Sequence, residues 1–184
     1  MKKLLALLLL SPLAFADVGN WSKNFYVDDF GDETNDGFIS QTVKGKFSNR
    51  VTTNSRLRVR LYISNADVME NDPFFRFYEY DGEKPLKGDT NMNFLDCKMK
   101  DHNNIISEVS LEQYRKSYME DEKDYWSLNS NRTVNVVSSI NFKELLANEG
   151  SARFVCEIVG KRTSKYMFEL DFKGYNNILK QFSE

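Results

Sequence analysis

Histidine occurs once in these 184 residues, cysteine twice, proline three times and glycine nine times. Zinc sites draw on several His and Cys ligands, so this inventory does not supply one. No Cys-x-x-Cys occurs, which argues against a redox enzyme. There is no Gly-rich phosphate loop. No run after the N-terminus reaches the roughly 20 apolar residues a membrane span needs. Internal repeats and heptads are missing too, and so few Pro and Gly exclude a collagen-like or linker-like chain. The single His102 sits in Asp101-His102-Asn103-Asn104, a turn composition. It reads as a solvated residue rather than the base of a Ser-His-Asp triad. Carboxylate pairs serve some hydrolases, but 27 acidic residues bring pairs together by chance. The expectation is a protein that is not an enzyme and carries no cofactor or metal, with a carboxylate hydrolase a distant third reading.

What is present is a folding composition: 41% hydrophobic and 14% aromatic residues, beyond what disordered chains carry. Lys2 and Lys3 precede an apolar stretch from Leu4 to Leu10, and Ala14-Phe15-Ala16 follows as a small-x-small site. This is the pattern of a secretory signal peptide over residues 1–16. It predicts a mature chain from Asp17 and a periplasmic or secreted location. Without Lys2 and Lys3 the chain has 23 basic against 27 acidic side chains. A mildly acidic chain makes no general case for nucleic-acid binding.

Alternation dominates the rest. Leu57, Val59, Leu61 and Ile63 take one face of a strand, and Arg56, Arg58, Arg60 and Tyr62 the other. Leu95-Cys97-Met99, Phe154-Cys156-Ile158 and Tyr166-Phe168-Leu170-Phe172 repeat the pattern. Phe74–Tyr80 and Thr133–Ile140 are β-favouring runs, and Trp21–Val27 with Gly37–Phe47 read as an opening strand pair. Turn signals separate these runs. Residues 17–184 are expected to form one mainly β domain, a β-sandwich or open β-barrel of about eight short antiparallel strands. Three short helices interrupt it. One starts at the Ser110/Gln113 capping pattern and carries Leu111, Tyr114, Tyr118 and Tyr125. A second runs from Asn141 through Phe142, Leu145 and Leu146 to Gly150. The last is amphipathic, with Tyr175, Ile178, Leu179 and Phe182 on one face, packing on an edge or end of the sheet.

Cys97 and Cys156 both fall on the apolar register of their strands. In an oxidising compartment they are expected to pair, across the core or between neighbouring strands. The alternative is two separate buried thiols. Asp32-Glu33-Thr34-Asn35-Asp36-Gly37 offers oxygens at calcium-loop positions 1, 3 and 5 and Gly at 6, but position 12 is Val43 rather than Glu. A hairpin turn at Asp36-Gly37 is the favoured reading over a calcium site at Asp32, Thr34 and Asp36. Arg56, Arg58 and Arg60, with Arg76, Tyr78 and Tyr80 of the next strand, form the candidate binding surface if the strands pair. Such a platform would dock an acidic partner or stack on sugar rings. The plain alternative is ordinary cross-strand pairing on a solvated face.

The block Gly45-Lys46-Phe47-Ser48-Asn49-Arg50-Val51-Thr52-Thr53-Asn54-Ser55-Arg56-Leu57-Arg58-Val59 resembles a G-x-F-S-N-x-x-T-T-N-S-x-L-x-V pattern of small exported bacterial proteins of unassigned function. The Trp21 strand, Tyr78-Glu79-Tyr80, and Tyr166-x-Phe168-x-Leu170 before a terminal helix resemble the same layout. The outline is distantly similar to periplasmic accessory proteins of type VI secretion systems. The resemblance implies an exported accessory protein and lends no catalytic residues. The expected function is therefore a non-catalytic envelope protein that binds another protein as adaptor, inhibitor or secretion accessory. A glycan-binding module is the alternative.

Overall fold

The computed structural model describes residues 21–64, 73–86, 94–113, 124–128, 142–158 and 163–181. Among these residues nine strands form one antiparallel sheet: β1 Trp21–Val27, β2 Glu33–Ser48, β3 Ser55–Ser64, β4 Pro73–Glu79, β5 Phe94–Asp101, β6 Ile106–Gln113, β7 Trp126–Leu128, β8 Ser151–Ile158 and β9 Ser164–Asp171. Their order is β1-β2-β3-β4-β7-β6-β5-β8-β9, and β2 also pairs with β9. Strands β2 to β9 thus close into an eight-stranded barrel with β1 as an extra strand. The mainly β expectation holds, and of its two architectures the sheet takes the barrel, with its seam shut.

One long strand makes both features possible. The first half of β2, Glu33–Gln41, pairs with β1, and its far end, Lys46–Ser48, pairs with β9. The two neighbours share one edge in succession while β3 runs along the other. Where β9 joins, a side chain at Gly45 would place its Cβ 2.4 Å from the Met167 carbonyl oxygen. Glycine lets the two backbones meet there.

The barrel is filled, not hollow. Leu57, Val59, Leu61, Phe75, Phe77, Leu111, Phe154, Tyr166 and Phe168 point inward and are almost fully buried. Phe154 and Phe168, opposite each other on β8 and β9, stack with ring centroids 4.9 Å apart. Outward positions carry charge instead: Lys44, Lys46, Asp96, Lys98, Arg153, Glu157, Lys165 and Glu169. That is the inverse of a membrane-spanning barrel, which is apolar outside and polar within. No described helix is long and apolar enough to cross a membrane.

Helix α1 covers residues 142–147, and α2 is Tyr175–Lys180. Phe142, Leu145 and Leu146 are buried, as their spacing requires. The residue in the left-handed region after α1 is Glu149 at φ 50°, not Gly150. Gly150 instead makes room for a neighbour, since a Cβ there would lie 2.8 Å from the His102 ring. Helix α2 packs on β1, where Trp21 meets Phe172 and Tyr175 at 6.5 and 5.5 Å. Asn176 ties it to α1, bonding Glu149 and the Ala147 carbonyl.

Three expectations are corrected. The segment from Ser110 does not start a helix; Ile106–Gln113 is strand β6, because Val109, Leu111 and Gln113 fit an inward period of two as well and gain ladder bonds on both sides. The β1–β2 turn lies at Asp28–Asp32, not Asp36-Gly37. Asp28 accepts from the Phe30 and Asp32 amides at 2.9 Å, and Gly31 supplies the positive φ of 87°. Asp36 and Gly37 sit inside β2. Tyr80 does not share a face with Tyr78, because it lies beyond the end of β4 in a left-handed conformation. The Thr133–Ile140 run, Tyr114, Tyr118, Asn141 and Phe182 lie outside the described residues.

A cationic outer face on β2, β3 and β4

The arginines of β3 point out of the barrel because Leu57, Val59, Leu61 and Ile63 point in. Register places Lys46 directly across from Arg56, Lys44 from Arg58, and Arg76 from Arg60. Like charges opposite each other on adjacent strands repel. Lys44, Lys46, Arg56 and Arg58 therefore make a square of four cations, with Arg60 beside it. Among the described residues only Arg56 meets a carboxylate, Asp81 at 3.6 Å, and that exposed pair is worth little. Arg58 donates to the Gly82 carbonyl at 2.9 Å and lies 4.5 Å over the Tyr78 ring. Among the described residues Arg60 reaches Ser40, at 3.5 Å, and the Tyr62 ring at 5.1 Å.

Arg76 is different. It bonds the buried Asp124 at 2.8 Å and stacks 3.9 Å from the centre of Tyr125. Burial works against its charge, yet Tyr125, Asp124 and Tyr62 hold the guanidinium more firmly protonated than usual. Aromatic rings run on from there across the outer surface: Tyr125 to Tyr62 at 5.7 Å, Tyr62 to Phe38 at 5.6 Å and Phe38 to Tyr26 at 5.8 Å. Arg76 thus belongs to a built-in network, whereas the cationic square meets just one carboxylate among the described residues, in the exposed Arg56–Asp81 pair.

Tyr78 and Tyr80 part company. Tyr78 is 8% exposed beneath Arg58, so its ring offers no open face. Tyr80 follows β4 at φ 58°, which breaks the alternation, and its ring packs edge-on to Phe47 at 4.7 Å. No coplanar pair of exposed tyrosines exists here for a sugar ring. The face brings together Arg56, Arg58, Arg60 and, on β4, Arg76; it leaves Tyr80 out and adds Lys44 and Lys46. Those two lysines alternate with Val43, Gly45 and Phe47 in the sequence, but their place opposite Arg58 and Arg56 depends on register.

Burial pushes the Tyr125 phenol up to about 12, against the pull of the stacked Arg76. Burial also raises Tyr62, with Tyr78 adding to it. In the interior, burial first and then the Glu79 carboxylate raise Tyr166, whose hydroxyl donates to Glu79 at 2.8 Å. These phenols stay neutral in the folded chain above the pH, near 10, at which they ionise when unfolded. Their contribution is complete below pH 10 and is lost as pH climbs through the raised values. Thermal stability should therefore be flat to about pH 10 and then fall, and Tyr125→Phe should make the fall shallower. A spectrophotometric phenolate titration alongside melting curves checks both, and a tyrosine-independent fall would contradict them.

The other motifs are structural or solvated. Ser48 accepts from the Asn54 amide, Asn49 accepts from the amides of Val51 and Thr52, and Asn54 turns left-handed at φ 55°. Thr52 and Ser55 hydroxyls bond each other. With Gly45 at the seam and Phe47, Leu57 and Val59 in the core, the Gly45–Val59 block builds a loop and a closure. Asp32 ends the β1–β2 turn, while Thr34 and Asp36 lie where the β1–β2 register shifts, and the Thr34 hydroxyl is taken up by the Tyr26 and Asp36 carbonyls at 3.0 Å. No group of three His, Cys, Asp or Glu suited to a metal occurs among the described residues. His102 is exposed at the β5–β6 turn, beside a cleft of about 170 Å³ lined in part by Met99, Asp101, Glu144 and Leu145.

No family model, no curated protein and no solved structure matches this chain.

Proposed function

We propose that this is a non-catalytic exported envelope protein that binds an acidic protein partner through the outer face of β2 and β3. The observation that carries the reading is the cationic square of Lys44, Lys46, Arg56 and Arg58. Four like charges placed in pairs across a strand are unfavourable alone. A partner bearing carboxylates at matching spacing relieves that repulsion and is steered in by it. Export is supported by the N-terminal pattern and by the Cys97–Cys156 bond, which oxidising compartments favour. The buried Tyr78 speaks against the glycan alternative.

The test is titration with a short poly-glutamate peptide at low and at high salt. Binding should weaken steeply with salt, because screening shortens from ~10 Å at 0.1 M to ~3 Å at 1 M. Lys44→Glu with Arg58→Glu should lower affinity about tenfold or more, a 1.4 kcal/mol effect, while leaving the fold intact by circular dichroism. Salt-independent binding, or a double variant that binds like the parent, would sink the proposal.

A further inference from the structure

The two ends of β2 carry opposite charge. Past the last β2–β3 pair, Phe38 with Ser64, the described β1–β2 hairpin continues as a two-stranded arm. This arm holds Asp28, Asp29, Asp32, Glu33 and Asp36, and no Lys or Arg occurs between Lys23 and Lys44. None of the five carboxylates meets a cation among the described residues. Phe30 at the tip is 90% exposed and Val27 62%. At the other end lie Lys44 and Lys46 with Arg56 and Arg58, and beyond them the exposed Val51 and Tyr80. Lys44 and Lys46 share one parity of the strand and project from one face, and Asp36 lies further along the same strand, where the β1–β2 register shifts.

We infer that two copies of this chain pair through these ends, the acidic arm of each lying on the cationic face of the other. The inference rests on the cationic face being a docking surface and names its occupant. The geometry within one strand points to a second copy. Along the sequence Asp36 and Lys44 are each four residues from Ser40, and the exposed Phe30 and Val51 are ten and eleven residues from it. A two-fold axis through β2 near Ser40, running it antiparallel to its mate, sets acid against base at both ends at once. Closed, self-complementary contacts of this kind are the commonest way identical chains associate. The exposed Phe30 and Val27 of one copy then reach the Val51 and Tyr80 end of the other, adding apolar burial that salt does not screen. An unrelated acidic protein would use the face alone and leave the arm unexplained. Within one chain the opposite charges are roughly 26 Å apart along the strand, too far to satisfy each other.

The test is a charge swap read by light scattering. The purified protein should show twice the monomer mass at low salt and fall towards the monomer as salt rises. An arm variant, Asp28→Lys with Asp32→Lys and Asp36→Lys, should be monomeric. So should a face variant, Lys44→Glu with Lys46→Glu and Arg58→Glu. Mixed in equal amounts, the two should recover the doubled mass, since each then offers what the other lacks. Zero-length carboxyl-to-amine cross-linking of the unaltered protein, mixed from two isotope labels, gives a readout that needs no variant. It should join arm carboxylates of one label to Lys44 or Lys46 of the other. A protein that stays monomeric at low salt and yields no cross-label links overturns the dimer. If that monomer still binds poly-glutamate through Lys44 and Arg58, the proposed function stands without it; if it does not, both fall.

Discussion

Gly45→Ala should destabilise the barrel by about 3 kcal/mol or more, at or beyond the top of the 1–3 kcal/mol usual for overpacking. A Cβ at this position would lie 2.4 Å from the Met167 carbonyl oxygen, 3.0 Å from Phe168 Cβ and 3.2 Å from a Leu57 methyl. The first two belong to β9 and cannot rotate away as the end of a flexible side chain can. Only three residue pairs, Lys46–Met167, Phe47–Tyr166 and Ser48–Lys165, hold β2 to β9. Moving β9 back far enough to admit a methyl breaks them and opens the seam over Phe47 and Tyr166, both fully buried. Against a total stability on the order of 5–15 kcal/mol, this is a large fraction. Gly31→Ala provides the control. Gly31 is at φ 87° with nothing within 4 Å of the added carbon, so it bears only the left-handed strain of roughly 1–2 kcal/mol. Denaturant midpoints should rank parent, then Gly31→Ala, then Gly45→Ala. Equal midpoints for the two variants would mean that the seam yields and closure at Gly45 is not what the glycine serves.

That seam marks the boundary of what was legible in the residues. The inward register of β3, β5, β8 and β9 is written in strict alternation, and it placed Leu57, Cys97, Cys156 and Phe168 correctly. Alternation says which way a side chain points but not which strand lies beside it. Closure is a pairing of β2 with β9 across more than a hundred residues, and its only local trace is a glycine in a strand, which also fits a bulge or a bend. The cationic face shows the same limit. Arg56, Arg58 and Arg60 stand out in sequence, while Lys44 and Lys46 become part of the site only through the β2–β3 register. Ile106–Gln113 misleads because Val109 and Leu111 suit a strand while Leu111 and Tyr114 suit a helix; the ladder bonds from β5 and β7 decide it. Tyr80 misleads because one left-handed residue ends the alternation that Tyr78 obeys.

Replacing both Cys97 and Cys156 by alanine should lower stability by roughly 2–5 kcal/mol, the usual effect of losing a native bridge in a small secreted domain. The two lie directly opposite each other on β5 and β8, 3.9 Å apart at Cα, with a sequence separation of 59. Both side chains face the core, flanked by Leu95 and Met99 on one strand and Phe154 and Ile158 on the other, and both are essentially buried. The bond's place in the circuit makes its loss costly. Strands β1 to β4 follow one another in order, as do β5 to β7, and β8 with β9 forms a hairpin. The β5–β8 ladder joins the second of these blocks to the third through seven residue pairs, against two at β4–β7 and three at β2–β9. In the unfolded chain the bond keeps those two blocks together and removes about 4 kcal/mol of loop-closure entropy. Without it the barrel must find that ladder by diffusion over the whole intervening segment. Because the sulfurs are buried, reductant alone should leave the native protein unchanged over short times. Reductant with denaturant should bring the parent's midpoint down to that of the double variant, since the unfolded chain exposes the bond. The double variant should also show a steeper denaturant dependence, because its unfolded state is more expanded. A variant within about 0.5 kcal/mol of the parent, the usual scatter of surface substitutions, would show that the β5–β8 ladder stands without its staple.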